Sequence, residues 1–147
     1  MTTATVTTTQ VYQLFIKATP ELVWDAITKP EFTTRYFFAS RVEMADGRRR
    51  AYGPGGELWG DSAILEEHPP RRLVHEWQGL YDADLAAEEP SRVTWEIEPQ
   101  DGGFSKLTVI HDRLDGAPKT AAGVSGAGWM MVLSGLKSVL ETGEGLS

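Results

Sequence analysis

The sequence predicts an α+β domain in which an antiparallel β-sheet lies against a long C-terminal helix, and three observations carry that expectation. First, LVHEWQGLY (73–81), RVTWEIE (92–98) and KLTVIHD (106–112) alternate in polarity, the period of strands with one buried face. Second, GAGWMMVLSGLKSVLETG (126–143) puts Trp129, Val132, Leu133, Leu136, Val139 and Leu140 on one helical stripe, a face that must be buried. Third, turn residues punctuate positions 40–113 at Asp46-Gly47, Gly53-Pro54-Gly55-Gly56, Pro69-Pro70 and Asp101-Gly102-Gly103, as in an antiparallel meander.

The elements follow in order. QVYQLFIKA (10–18) is rich in β-branched and aromatic residues and reads as the first strand. It stops at Thr19-Pro20-Glu21: Thr19 can cap a helix, Pro20 supplies the φ of a first helical residue, and Glu21 complements the positive helix end. Val23, Trp24 and Ile27 then share a face until Pro30 ends the helix. PEFTTRYFF begins a second short helix with Phe32, Tyr36 and Phe37 at helical spacing. After the meander, the closing helix is roughly 27 Å long, enough to cross several strands about 4.8 Å apart. Met131 points away from its apolar stripe and Met130 lies at the margin, so both are expected to be covered by the short helices, a loop or a partner.

At 147 residues the chain fits one domain, placed at 10–147 behind a loose tail of residues 1–9. A net charge of −7 argues against nucleic acid or an anionic membrane as partner, because both require a basic face. Arg48, Arg49 and Arg50 are the one basic run and read as a solvated hairpin tip. With no cysteine there is no disulfide, thiolate metal site or thiol nucleophile. No apolar run approaches the roughly 20 residues of a membrane span, and MTTATVTTT lacks the pattern of a signal peptide. The expected location is cytoplasmic. HExxH, GxSxG and GxxxxGK[ST] are all absent, so neither a catalytic residue, a metal nor a cofactor is assigned.

The stretches IKATPELVWDAITKPE (16–31), HPPRRLVHEW (68–77), SRVTWEIEP (91–99), LTVIHDRLDGAP (107–118) and GWMMVLSGLKSVLETG (128–143) resemble the Bet v1-like or START-like (SRPBCC) superfamily. The branch they are most similar to is that of the activator of Hsp90 ATPase homologue 1. The resemblance implies the helix-grip fold, a curved antiparallel sheet wrapped around a long C-terminal α-helix with two short helices after the first strand. It also implies an apolar cavity between sheet and helix, where relatives bind hydrophobic molecules. AYGPGGELWGDSAI (51–64) departs from the usual pattern, with Ser62 where a glycine is common.

Alternation places His75, Trp77 and Tyr81 on one face of their segment, Trp95 on the same face of the next strand, and His111 on that of the last. With Trp129 and Leu133 from the helix, and Tyr36, Phe37 and Trp59 at the rim, they form the expected ligand-binding set. Each histidine can be a neutral core residue bonded to a neighbour, a polar contact for a ligand, or an acid or base near neutral pH. The expected function is binding of a hydrophobic, aromatic or polycyclic small molecule by a monomer or weak homodimer. Three other readings stay open: a cyclase or hydrolase using the cavity histidines, an interaction module resembling the Hsp90 activator, and a self-sacrificing enediyne-resistance protein.

Overall fold

Residues 9–146 are described by the structure, a computed structural model; the expected tail, apart from Thr9, lies outside them. The chain runs β1 (Gln10–Ile16), α1 (Pro20–Thr28), α2 (Pro30–Tyr36), β2 (Arg41–Ala45), β3 (Arg48–Tyr52), β4 (Leu58–His68), β5 (Arg72–Trp77), α3 (Ala83–Ala86), β6 (Ser91–Gln100), β7 (Phe104–Asp112), α4 (Pro118–Gly123), a π-helical turn (Val124–Gly128) and α5 (Trp129–Thr142). All seven strands join one open antiparallel sheet in the order β1-β7-β6-β5-β4-β3-β2. The helix-grip architecture expected from the sequence is thus present.

Local signals act where they were read. Thr19 Oγ1 accepts from the Leu22 backbone N–H at 3.3 Å and caps α1. Gly102 and Gly103 take positive φ of 100° and 84° in the β6–β7 hairpin, a conformation open to glycine. Along β7, Ser105, Leu107, Val109 and His111 are buried while the residues between them are only partly so, and Val93, Trp95 and Ile97 of β6 face the same core. Trp129, Val132, Leu133, Leu136 and Val139 close it from α5. Trp95 and Trp129 are both essentially inaccessible. Burying an indole of 150–250 Å² at about 25 cal/mol per Å² favours folding by ~4–6 kcal/mol.

Helix α5 is held from two directions. At its far end Lys137 Nζ donates to the Phe15 carbonyl at 2.6 Å, and Glu141 accepts from the Lys17 backbone N–H at 2.8 Å, tying it to the end of β1. On its flank Gly135 lies against α2, where an added Cβ would stand 3.0 Å from Tyr36 Cβ. Tyr36 in turn donates from its buried hydroxyl to the Ala26 carbonyl at 2.6 Å, locking α2 to α1.

Three expectations change. The arginine run is not a hairpin tip: Asp46 and Gly47, with φ of 55° and 73°, form the two-residue turn, and Ala45 pairs with Arg48. An Asp-Gly hairpin leaves no room for a longer tip, so Arg48–Arg50 belong to β3. The last helix, α5, starts at Trp129 rather than at 126, and it is preceded by α4 and the π turn, which the sequence did not predict. There Gly128 is needed, since a Cβ would meet the Gly123 carbonyl oxygen at 2.9 Å. Met130 and Met131 are 56% and 47% exposed, so no described part of the chain covers them.

Because Gly135 sets how closely α2 approaches α5, Gly135→Val is expected to destabilise the fold by more than ~1.5 kcal/mol through overpacking. Urea unfolding measures this, and an unchanged midpoint would mean that the α2–α5 contact yields freely.

Candidate functional site

The inner face of the sheet divides into a sealed part and an open part. In the sealed part, each of two histidines accepts from an indole. Trp95 Nε1 donates to His75 Nε2 at 2.9 Å, while His75 Nδ1 lies 2.8 Å from the Glu76 carbonyl. Trp129 Nε1 donates to His111 Nδ1 at 3.0 Å, and His111 Nε2 lies 2.7 Å from Ser91 Oγ, which reaches the Trp77 carbonyl at 3.3 Å. An indole can only donate, so the neutral tautomers follow: His75 carries its proton on Nδ1 and donates to the carbonyl, and His111 carries its proton on Nε2 and donates to Ser91. Both rings are fully buried. Burial pushes His75 well below the ordinary histidine range, with the nearby Arg49 charge adding to it. Burial likewise lowers His111 to about 4, against an opposing effect of Asp112. No ring nitrogen is left free for acid–base work on a ligand.

Beyond the tryptophans the helix does not fill the sheet. A cavity of about 600 Å³ opens at the N-terminal end of α5, within the roughly 300–1,000 Å³ range of small-molecule sites. Aromatic side chains in its walls include Phe37, Trp59, Trp77, Tyr81 and Trp129, with Val132 beside them. Phe37 and Trp77 stack at 6.1 Å between centroids, and Trp129 stands 5.8 Å from Trp77. Phe38 and Ala39, with φ of 53° and 57°, make the left-handed bend after α2, a region disfavoured for residues with a Cβ. The bend leaves Phe37 buried and Phe38 at the exposed rim.

One edge of the cavity is held by charge. Asp82 caps α3 and receives Lys119 Nζ at 3.1 Å on both carboxylate oxygens, which keeps its carboxyl below the usual range. Glu88 accepts from the backbone N–H groups of Lys119 and Thr120 at 2.6 and 3.0 Å. These contacts join the α3 loop to α4, and Asp82, Lys119 and Thr120 all line the cavity.

Among the lining residues that sequence reasoning did not place in the site is Arg49. It sits on the inner face of β3, paired with Met44 on one side and Ser62 on the other, and is only 5% exposed. Its guanidinium carbon lies 5.5 Å from the centre of Phe37 and 5.3 Å from that of Trp77. Its Nε is buried without a hydrogen-bond partner. Arg48 and Arg50 instead point to the outer face and share Asp61. Burial lowers the Arg49 guanidinium to about 10, against a smaller opposing effect of Tyr36, so it remains cationic at neutral pH. Cation–π contact contributes about 0.5–2 kcal/mol per ring, whereas desolvating an ion costs several kcal/mol, so the two rings offset only part of the cost. The Asp-Gly turn puts Arg49 on the face opposite Arg48 and Arg50, but only the strand pairing decides which face is the inner one.

Of the residues expected in the site, Phe37, Trp59, Trp77, Tyr81 and Trp129 line the cavity. Tyr36, His75, Trp95, His111 and Leu133 stand behind its walls in the buried core and do not line it.

The family model described as activator of Hsp90 ATPase homolog 1-like protein matches residues 17–141. The chain belongs to this family. No curated protein sequence matches it. Among solved structures, a protein from Mesorhizobium loti is 23% identical with a TM-score of 0.72, over 90% of this chain and 96% of that one. An Hsp90 activator from Plasmodium falciparum is 19% identical with a TM-score of 0.73, over 90% and 96%. A protein in the dynemicin biosynthetic locus is 23% identical with a TM-score of 0.73, over 94% of this chain and 49% of that one. At these identities the likeness is one of fold. No described helix is long and apolar enough to cross a membrane.

The buried histidines set a pH dependence. In the unfolded chain each takes a proton near pH 6.5, but in the fold His111 resists protonation to about pH 4 and His75 is depressed in the same direction. The unfolded state therefore binds more protons between those values, and stability falls as pH falls through the window. From His111 alone the loss between pH 7 and pH 5 is about 2 kcal/mol. Urea unfolding across that range is expected to show it, and His111→Gln to flatten the slope; an unchanged slope in the variant would contradict the assignment.

Proposed function

We propose that this protein binds a hydrophobic, aromatic or polycyclic small molecule in the cavity between its sheet and the start of α5. The observation that carries the reading is a cavity of about 600 Å³ with walls built from Phe37, Trp59, Trp77, Tyr81 and Trp129. Broad apolar surface with a few polar groups is the usual makeup of such sites. In this reading those five side chains contact the ligand. Tyr36, His75, Trp95, His111 and Leu133 act behind them, fixing the positions of the rings that touch it. Trp129 belongs to both groups, since it borders the cavity although almost wholly buried, and its N–H is held by His111.

The reading favours binding over catalysis because both imidazoles have their nitrogens engaged within the core. The test is a screen of polycyclic aromatics, flavonoids and fatty acids by tryptophan fluorescence and chemical-shift change. Binders are expected to perturb Trp77 and Trp129. Ala51→Phe, on the cavity wall, is expected to weaken them more than tenfold. Leu133→Ala, in the packed core, should instead cost roughly 2–5 kcal/mol of stability and leave their affinity within a few fold. If no compound perturbs residues of the cavity wall, the binding reading fails and a surface role resembling the Hsp90 activator takes its place.

A further inference from the structure

We infer that the ligand is an anion, an aromatic or polycyclic molecule carrying a carboxylate or comparable oxyanion, and that Arg49 is the residue that recognises it. The inference rests on the binding reading above and names the chemical class of its ligand. Three charged side chains line the cavity: Arg49, Asp82 and Lys119. Asp82 and Lys119 are committed to each other. The Arg49 side chain is left with no hydrogen bond or ion pair among the described residues, and its buried Nε has no partner.

The acids close in sequence or register do not reach it. Asp61, one residue from its strand partner Ser62, is taken up by Arg48 and Arg50 on the outer face. Glu43 pairs with Arg41. The partner of Arg49 directly across the β3–β4 ladder is Ser62, a neutral residue that is also part of the wall. A buried cation without a counter-ion is unfavourable unless something supplies the missing charge. The two aromatic neighbours, Phe37 and Trp77, supply polarisable surface but no acceptor.

Guanidinium is the side-chain group best suited to the missing partner. It presents a rigid planar fork of donors that matches the two oxygens of a carboxylate. A carboxylate seated on Arg49 would leave its ring system to the wall formed by Trp77, Trp129 and Val132.

The experiment compares acids with their own methyl esters: 2-naphthoate, 2-anthracenecarboxylate and 1-pyrenecarboxylate, each against its ester, by calorimetry or fluorescence at pH 7.5. Wild-type protein is expected to bind at least one acid more than tenfold tighter than its ester. Arg49→Met is expected to lose that preference while still binding the ester, and Arg49→Lys, which keeps the charge but not the fork, to fall between them. The wild-type comparison needs no variant, so a misfolded variant does not blunt the test. In the folded wild type, a chemical-shift change at Arg49 Nε–H on adding the acid but not the ester would support the same conclusion. Equal binding of acid and ester by the wild type overturns the role of Arg49 and leaves the hydrophobic cavity standing, with Arg49 a stacked structural residue. Failure of every acid and every ester overturns both.

Discussion

Of the two indole-to-imidazole hydrogen bonds in the core, one ties the start of the last helix to the sheet and the other holds the ring on which it packs. Trp129, the first residue of α5, is tied through Nε1 to His111 on β7, and Trp95 on β6 is tied to His75 on β5. Each imidazole uses its other nitrogen within the core, on the Glu76 carbonyl or on Ser91. Four otherwise costly polar side chains are therefore buried without an unmet hydrogen bond, the condition for a polar network to specify a core rather than weaken it. Because an indole can only donate, each pairing requires a neutral imidazole with one unprotonated nitrogen.

The cavity lies beside the same anchor. The chain reaches Trp129 through the π turn (Val124–Gly128), and Trp59, Trp77 and the start of α3 stand across the cavity from it. Tyr12 and Gln10, on the inner face of β1, secure this approach through the carbonyls of Val124 and Ala121. Single π turns within helices are frequent at functional sites, and here the turn supplies cavity wall through Val124 and Gly128. Arg49 lies on that wall at a cost to the empty protein. A binding site can keep such a residue, since the ordinary course of improving stability would replace it with an apolar side chain.

Much of the fold was legible because its signals are periodic. The stripe from Trp129 to Val139 and the alternation through Val93, Trp95 and Ile97 each predict the face that is buried, and Thr19-Pro20-Glu21 predicts the start of α1 at its first residue. The entry to α5 was not legible in the same way: PKTAAGVSGAG consists mostly of small residues, which carry no hydrophobic period. The candidate site was legible in its aromatics but not in its charge. Trp77 falls on the correct face by alternation and Trp129 by the helical stripe, yet neither period can tell cavity wall from sealed core, and so His75, Trp95 and His111 read the same way. Arg49 was hidden by its neighbours, because three arginines in a row look like a solvated cluster. Only the pairing of β2, β3 and β4 decides that the middle one turns inward.

The most direct test is a crystal structure of the protein with 2-naphthoate. The expected result is the carboxylate within about 3.2 Å of the Arg49 guanidinium nitrogens, the naphthalene ring against Trp77 and Trp129, and the His75–Trp95 and His111–Trp129 bonds unchanged. A naphthoate found only on the surface, or a cavity closed by inward movement of α4 and the π turn with Arg49 in solvent, would contradict it.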